Sequence, residues 1–232
     1  MISMRFLLPK LALLSLLLLA ACGDDSVTSS EPGATVSPKA GSSYTYMKVR
    51  TDSNSVKVPG WDTTYAQSVI STGNSYRGKS NLVMFRDDST DLFVSYESNG
   101  DYAMLPKTDD TTVQWVIYPA GSRTRFTLPS VDTTVENPFG GTWQISERGS
   151  IVHGGTATIT VPAGTFATHR LVQSSVFSLG SGASKLSTTS TDTIYYAPSI
   201  GWVVKVVGRT ESNDPQFPAE GTEEVLTSYT LK

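Results

Sequence analysis

From Tyr44 to the end of the chain, no window of a dozen residues keeps apolar side chains at three- and four-residue spacing. Glycine, proline or a β-branched cluster interrupts every candidate, so no convincing helix is readable. Short runs that alternate apolar and polar residues recur instead. Gly and Pro punctuate them at the roughly 8–12-residue interval of an all-β sandwich or barrel. Ten to thirteen strands are expected on this spacing, in one domain over residues 44–232.

Individual strands can be placed. Tyr44 to Arg50, Tyr65 to Ser71 and Asn81 to Arg86 are the first three. Leu92 to Leu105 reads as a hairpin turning at Asn99-Gly100, because both residues tolerate positive φ. Counting outward pairs Tyr96 with Ala103 and Val94 with Leu105, on one face, with Tyr102 on the other. Gln114 to Tyr118 and Arg123 to Leu128 flank Pro119-Ala120-Gly121. A strand follows the turn at Gly140-Gly141 and ends near Val152, with a second turn signal at Gly154-Gly155. Thr156 to Val161 and Thr165 to Phe177 are expected to form a hairpin with Pro162-Ala163-Gly164 as a three-residue loop. Gly180 to Ser190 reads as a mobile loop. The last hairpin, Thr193 to Val207, turns at Ala197 to Gly201, and Glu223 to Leu231 closes the sheet.

The N-terminus has a different composition. Arg5 and Lys10 precede Leu11 to Ala20, which holds seven leucines and no charge. That run is too short to span a bilayer and fits a signal-peptide core. It ends in Leu19-Ala20-Ala21-Cys22, which contains the chain's one cysteine. This stretch resembles the bacterial lipobox. The resemblance implies removal of residues 1–21, acyl chains on Cys22 and attachment to a membrane, since two or more chains hold a protein stably. Gly23 in place of Asp after the cysteine implies the outer membrane. Asp24-Asp25 weakly resembles the acidic surface-export signals of some Bacteroidota. Residues 22–43 are Ser, Thr, Pro, Gly and Asp with few large apolar side chains, a flexible tether reaching roughly 25 Å as a coil.

Without Arg5 and Lys10 the basic count falls from 18 to 16 against 21 acids, so the net charge moves from -3 to -5. A mildly acidic chain with no basic cluster is not a nucleic-acid partner.

Two segments resemble a recurring pair in uncharacterised bacterial lipoproteins: Val161-Pro162-Ala163-Gly164-Thr165-Phe166 and Tyr195-Tyr196-Ala197-Pro198-Ser199-Ile200-Gly201-Trp202-Val203. There the motifs read VPAGTF and YAPGVGLV. The resemblance implies the strongly curved antiparallel sheet, an open barrel or half-barrel, of the Lol lipoprotein carriers, with a β-sandwich as runner-up. It covers about a third of the chain. It departs at Ser199-Ile200 and Trp202, and no helix is readable that would plug the sheet as in the Lol carriers.

Chemistry is sparse. His153 and His169 are the two histidines, in separate strands with no acid at ligand spacing. His169 is placed on the face of Ala157 and Ile159. No HExxH, cysteine pair or GxSxG is present, so neither a metal, a cofactor nor a catalytic residue is assigned. Trp61, Trp115, Trp143 and Trp202 suit a core better than a sugar platform. Asp followed by Ser or Thr recurs at Ser26, Thr63, Ser89, Thr111, Thr133 and Thr193 in triplets that resemble the O-glycosylation sequon of exported Bacteroidota proteins. Turn formation is the simpler reading. The expectation is a lipid-anchored, non-enzymatic envelope protein whose β domain binds an envelope component or serves structure. The rivals are an apolar ligand in the concave face, with Trp115, Trp143, Tyr196 and Trp202 as its lining or its filling, and a surface-polysaccharide hydrolase.

Overall fold

The computed structural model describes residues 32–87, 90–136, 141–180 and 185–232. Thirteen strands form one antiparallel sheet, and the only helical turn among the described residues is a 3-10 turn at Pro198–Ile200. The strands are β1 Ser43–Thr51, β2 Thr63–Tyr76, β3 Lys79–Arg86, β4 Asp91–Tyr96, β5 Tyr102–Pro106, β6 Val116–Tyr118 and β7 Arg125–Thr127. The second half comprises β8 Val131–Glu136, β9 Thr142–Val161, β10 Gly164–Gly180, β11 Leu186–Ala197, β12 Trp202–Ser212 and β13 Glu220–Thr230. Their order across the sheet is β6-β5-β4-β3-β2-β1-β13-β12-β11-β10-β9-β7, with β8 also on β9. The curved, continuous sheet expected from the sequence is present, and the sandwich is excluded.

The sheet curls until its halves touch. Tyr102 on β5 stacks on Tyr196 on β11, with centroids 4.4 Å apart although seven ladder steps separate the strands. A seam remains between β6 and β7. The segment between them crosses it. Gly121 N–H donates to Asp101 Oδ1 at 2.9 Å, Ser122 N–H to Asn99 O at 3.2 Å, and Arg123 pairs with Asp101 at 2.8 Å. A side chain at Gly121 would collide with the Asn99 carbonyl, so glycine is required there.

One end of the barrel is closed by the two motif segments. Phe85 stacks on Trp202 at 4.1 Å, and the Trp202 indole donates to Gln67 Oε1 at 2.8 Å. Three tyrosine hydroxyls from β1 and β4 satisfy carbonyls of the intervening turn and β12: Tyr44 to Ile200 O, Tyr96 to Gly201 O and Tyr46 to Val203 O, at 2.7–2.9 Å. Buried donors thus meet the carbonyls that a short turn leaves orphaned. The β9–β10 hairpin tip folds over the same end, with Ala163 N–H on Leu226 O at 3.2 Å and Phe166 buried. The chain is already held here before β1 begins. Val36 N–H donates to Pro198 O and Gly41 N–H to Val69 O, both at 2.8 Å, and Ser42 is fully buried.

Gly201 lies under this strap with φ +63, and a Cβ there would collide with the Val36 carbonyl. Gly201→Ala is therefore expected to cost about 2 kcal/mol from the left-handed conformation alone. It should also expose residues 33–42 to protease. Limited proteolysis with N-terminal sequencing checks this; an unchanged cleavage rate would mean the strap does not depend on the glycine.

Several sequence expectations are corrected. The Asn99-Gly100 hairpin uses a three-residue loop: Glu97 N–H donates to Asp101 O at 2.9 Å, Gly100 N–H to Glu97 O at 3.0 Å, and Gly100 has φ +87. Tyr96 therefore pairs with Tyr102 and Val94 with Met104. A one-residue slip changes the face of every side chain. Tyr102 thus enters the interior, while Phe93, Ala103 and Leu105 face outward. There they are buried with Leu82 beside Tyr76, which stacks on Phe93 at 4.5 Å. The 107–115 segment is fixed nearby by Arg77, which donates to the carbonyls of Thr108, Asp110 and Val113.

Conversely, the Pro162 hairpin is tighter than expected, since Val161 pairs with Gly164 and leaves a two-residue loop. Gly154-Gly155 is no turn. It is a bulge inside the single 20-residue β9. β11 begins at Leu186, inside the stretch read as a loop, and β8 was not anticipated.

Candidate functional site

β1 runs from the closed end at Ser43 to the opposite end at Thr51, about 27 Å for an extended strand. Along it the interior changes from aromatic to charged. Lys48 of β1 lies directly opposite Glu224 of β13, and the Tyr46–Leu226 pair is next toward the closed end. Lys48 Nζ reaches Glu224 Oε1 at 2.8 Å, and the Tyr65 hydroxyl of β2 donates to Glu224 Oε2 at 2.8 Å. Glu224 is 4% exposed. Burial and the Glu224 carboxylate push the Tyr65 phenol far above its ordinary range. The geometry is that of a buried pair with a neutral hydrogen-bond donor completing it, an arrangement that tolerates no single deletion.

Asp192 of β11 is the second acid here. It pairs in register with Gly208 of β12, which in turn faces Thr222 of β13. The Asp192 and Thr222 side chains both lean over Gly208, where a Cβ would collide with them. Burial, reinforced by the Glu224 charge, raises the Asp192 carboxyl to about 6. Asp192 in turn adds to the burial that raises the Tyr118 phenol. Two acids, one ammonium and two phenols therefore line the interior toward this end. At neutral pH the group carries about one negative charge, which suits a polar or cationic ligand better than an apolar one.

The rim is built from the same strands. Arg50 pairs with Glu220, and its guanidinium lies 5.0 Å from the centre of the Trp61 ring, which is 54% exposed. Thr63 opens β2 beside it, exposed and opposite Lys48 in register.

The sequence-predicted residues scatter. Cys22, Ser26 and Ser89 lie outside the described residues. Thr63, Thr111 and Thr133 are exposed, and Thr193 is half-buried. Among the described residues, the aspartates of these triplets have local roles. Asp110 accepts from Thr112 N–H and Oγ1, Asp62 pairs with Lys57, and Asp132 pairs with Arg148 at 2.6 Å. Of the tryptophans, only Trp202 is in the core. Trp115 is half-buried on the Arg77 carbonyl, Trp143 is half-buried, and Trp61 is on the rim, so they form neither a common platform nor a shared filling. Asp132, Gln144, Arg148 and Lys185 line an open polar groove by β8 and β9, remote in register from Asp192.

His153 and His169 come together, Nε2 to Nδ1 at 3.1 Å. His169 pairs with Thr156 and so lies on the opposite face from Ala157. Desolvation, then the His153 charge, lowers His169 to about 4. Among the described residues no group of three or more His, Cys, Asp or Glu is placed to share a metal ion.

The sequence reading missed Lys48, Asp192 and Glu224. A faint signal existed, because each sits two residues from an interior aromatic or aliphatic side chain in an alternating strand: Tyr46, Ile194 and Leu226.

No protein-family model matches the chain. No curated protein matches it either. Among solved structures, it is similar to a candidate lipoprotein from Parabacteroides distasonis, with 14% identity over 85% of this chain and 100% of that one, at TM-score 0.47. A candidate exported protein with a YmcC-like fold from Bacteroides fragilis is similar at 11% identity, with the same coverages and TM-score 0.38.

Proposed function

We propose that the protein is an outer-membrane lipoprotein, anchored through acyl chains on Cys22, whose β domain binds a polar component of the envelope at its charged end without catalysing a reaction. One observation carries the reading. The N-terminal strap meets the barrel at its closed end, while the Lys48–Glu224–Asp192 group lies toward the other. A tether leaving from the strap turns the charged end away from the lipid. The aromatic packing around Trp202 and Tyr102 favours this reading over an acyl chain held in the concave face.

A carboxyl raised to about 6 beside a second acid is also the signature of a glycosidase acid–base pair. That keeps a surface-polysaccharide hydrolase as the second reading. In the first reading Glu224 is already engaged by Lys48 and Tyr65 and is unavailable as a nucleophile.

Cys22→Ser tests the anchor. The variant is expected to lose metabolic fatty-acid label and to leave the membrane fraction entirely; retained label refutes it. The intact mass of the unaltered protein from its own host reads the acyl chains directly, and any further mass reports added sugar, for which Ser26, Thr63, Ser89, Thr111, Thr133 and Thr193 are the candidate sites. Release of reducing sugar from envelope polysaccharide by the unaltered protein would favour the hydrolase instead.

A further inference from the structure

His153 and His169 sit diagonally across the β9–β10 ladder, on the face that carries Leu171 and Tyr196. Diagonal neighbours in a regular antiparallel pair are about 7–8 Å apart. The ladder is not regular here. Between these positions β9 has two residues, Gly154 and Gly155, where β10 has one, Arg170. Gly155 has φ +95, and the Arg170 guanidinium donates to the Gly154 carbonyl at 2.8 and 3.1 Å. Gly155 is the position that requires glycine, through its positive φ, while a Cβ on Gly154 would only displace the Arg170 side chain, 2.9 Å away at Nε. A bulge adds twist and re-aims the side chains beside it. Its effect here is to bring His153 Nε2 within 3.1 Å of His169 Nδ1.

We propose that this pair is a two-nitrogen clamp for a divalent transition-metal ion of the Cu2+ or Zn2+ class. Imidazole nitrogens bind such ions at about 2.0–2.1 Å. Two nitrogens 3.1 Å apart then subtend about 100° at the ion, between the square-planar and tetrahedral values. Without metal the two nitrogens share one hydrogen. The rings now face each other along the nitrogen–nitrogen line, with centroids 5.3 Å apart, so the ion seats about 1.3 Å to one side of that line and both rings turn toward it; the hydrogen moves to the far nitrogen of the same ring, with no change in net protonation. The scaffold around the clamp is fixed. His153 N–H donates to Thr124 O at 2.9 Å, where the seam segment joins β9, and His169 stacks on Tyr196 with centroids 6.5 Å apart. Both rings are half-buried, which leaves the remaining coordination positions open to water or to a donor from a second molecule.

The chain has two histidines and one cysteine, so the test has little background. Full-length protein carrying Cys22→Ser, purified without a histidine tag, is titrated with Cu2+ and followed by electron paramagnetic resonance. One equivalent should bind with coupling to two nitrogens. His153→Gln and His169→Gln should each leave one nitrogen coupling and weaken binding at least tenfold. Gly155→Ala, which keeps both imidazoles but strains the bulge, should weaken it as well. The clamp is refuted if the unsubstituted pair shows no two-nitrogen coupling, a result that does not depend on any variant folding. It is equally refuted if both histidine variants bind copper as tightly as the parent.

Discussion

Trp202→Ala is expected to destabilise the domain by about 4 kcal/mol, near the upper range for a large aromatic deleted from a packed interior. The indole is 4% exposed. It stacks on Phe85, lies 6.4 Å from the Tyr44 ring and donates to Gln67 Oε1. Truncation removes the apolar burial and leaves a cavity between the two halves of the curled sheet. It also strands the Gln67 amide without its indole donor, a further cost of roughly 1 kcal/mol. The surroundings cannot relax to fill the gap, because Tyr44 and Tyr96 are fixed by hydrogen bonds to the adjoining turn. Urea unfolding should show a lowered midpoint with an unchanged slope. A loss below 2 kcal/mol would mean that the closed end is softer than its packing implies. Trp202→Phe, which keeps the ring contacts and drops the donor, should recover most of the loss.

Asp192→Asn should act in the opposite direction, and only at higher pH. The folded carboxyl is raised to about 6 from an ordinary 3.8. The folded state therefore holds its proton more tightly than the unfolded state does. Its contribution to stability is complete below about pH 4 and is lost as pH rises through 6. A shift of about 2 units corresponds to roughly 3 kcal/mol. The asparagine variant has no charge to bury. It should match the parent near pH 4 and exceed it by 2–3 kcal/mol at pH 8. Asp91 and Glu97 are lowered by Arg86 and Lys79 and run the other way, so the parent's own pH profile mixes opposite slopes. The difference between variant and parent isolates Asp192. Equal stability differences at pH 4.5 and 8 would show that the carboxyl is not held in an unfavourable setting.

Much of the sheet could be read from the chain because strand signals are local. Alternation located β1, β3, β4 and β13 to within a few residues, β12 runs five residues past the expected Val207, and the Pro198 turn lay where Ala197 to Gly201 suggested. The failures share one cause. Asn99-Gly100 signals a turn but not its length, since glycine at positive φ serves a two- or a three-residue loop equally. That ambiguity moved Tyr102 to the wrong face. Gly154-Gly155 carries the same residues as a turn, and only the pairing with Arg170 shows it to be a bulge. The charged end was illegible for a different reason. Lys48 and Tyr65 meet Glu224 across roughly 160–175 residues of sequence, and their proximity depends on β1 pairing with β13, which no local pattern predicts.

The seam has a consequence for crowding. An incompletely closed sheet carries two rows of unsatisfied backbone groups, the usual template for strand-by-strand aggregation. Here the outermost strands β6 and β7 are three residues each. β8, the one longer flanking strand, carries Asp132 and Glu136. Proline stands at Pro106, where β5 ends, and at Pro119, immediately after β6. A second copy would find too short a run of donors and acceptors to extend the ladder. If the proposed anchor on Cys22 holds the protein to a membrane, where copies meet far more often than in solution, this blunting would allow dense packing without polymerisation.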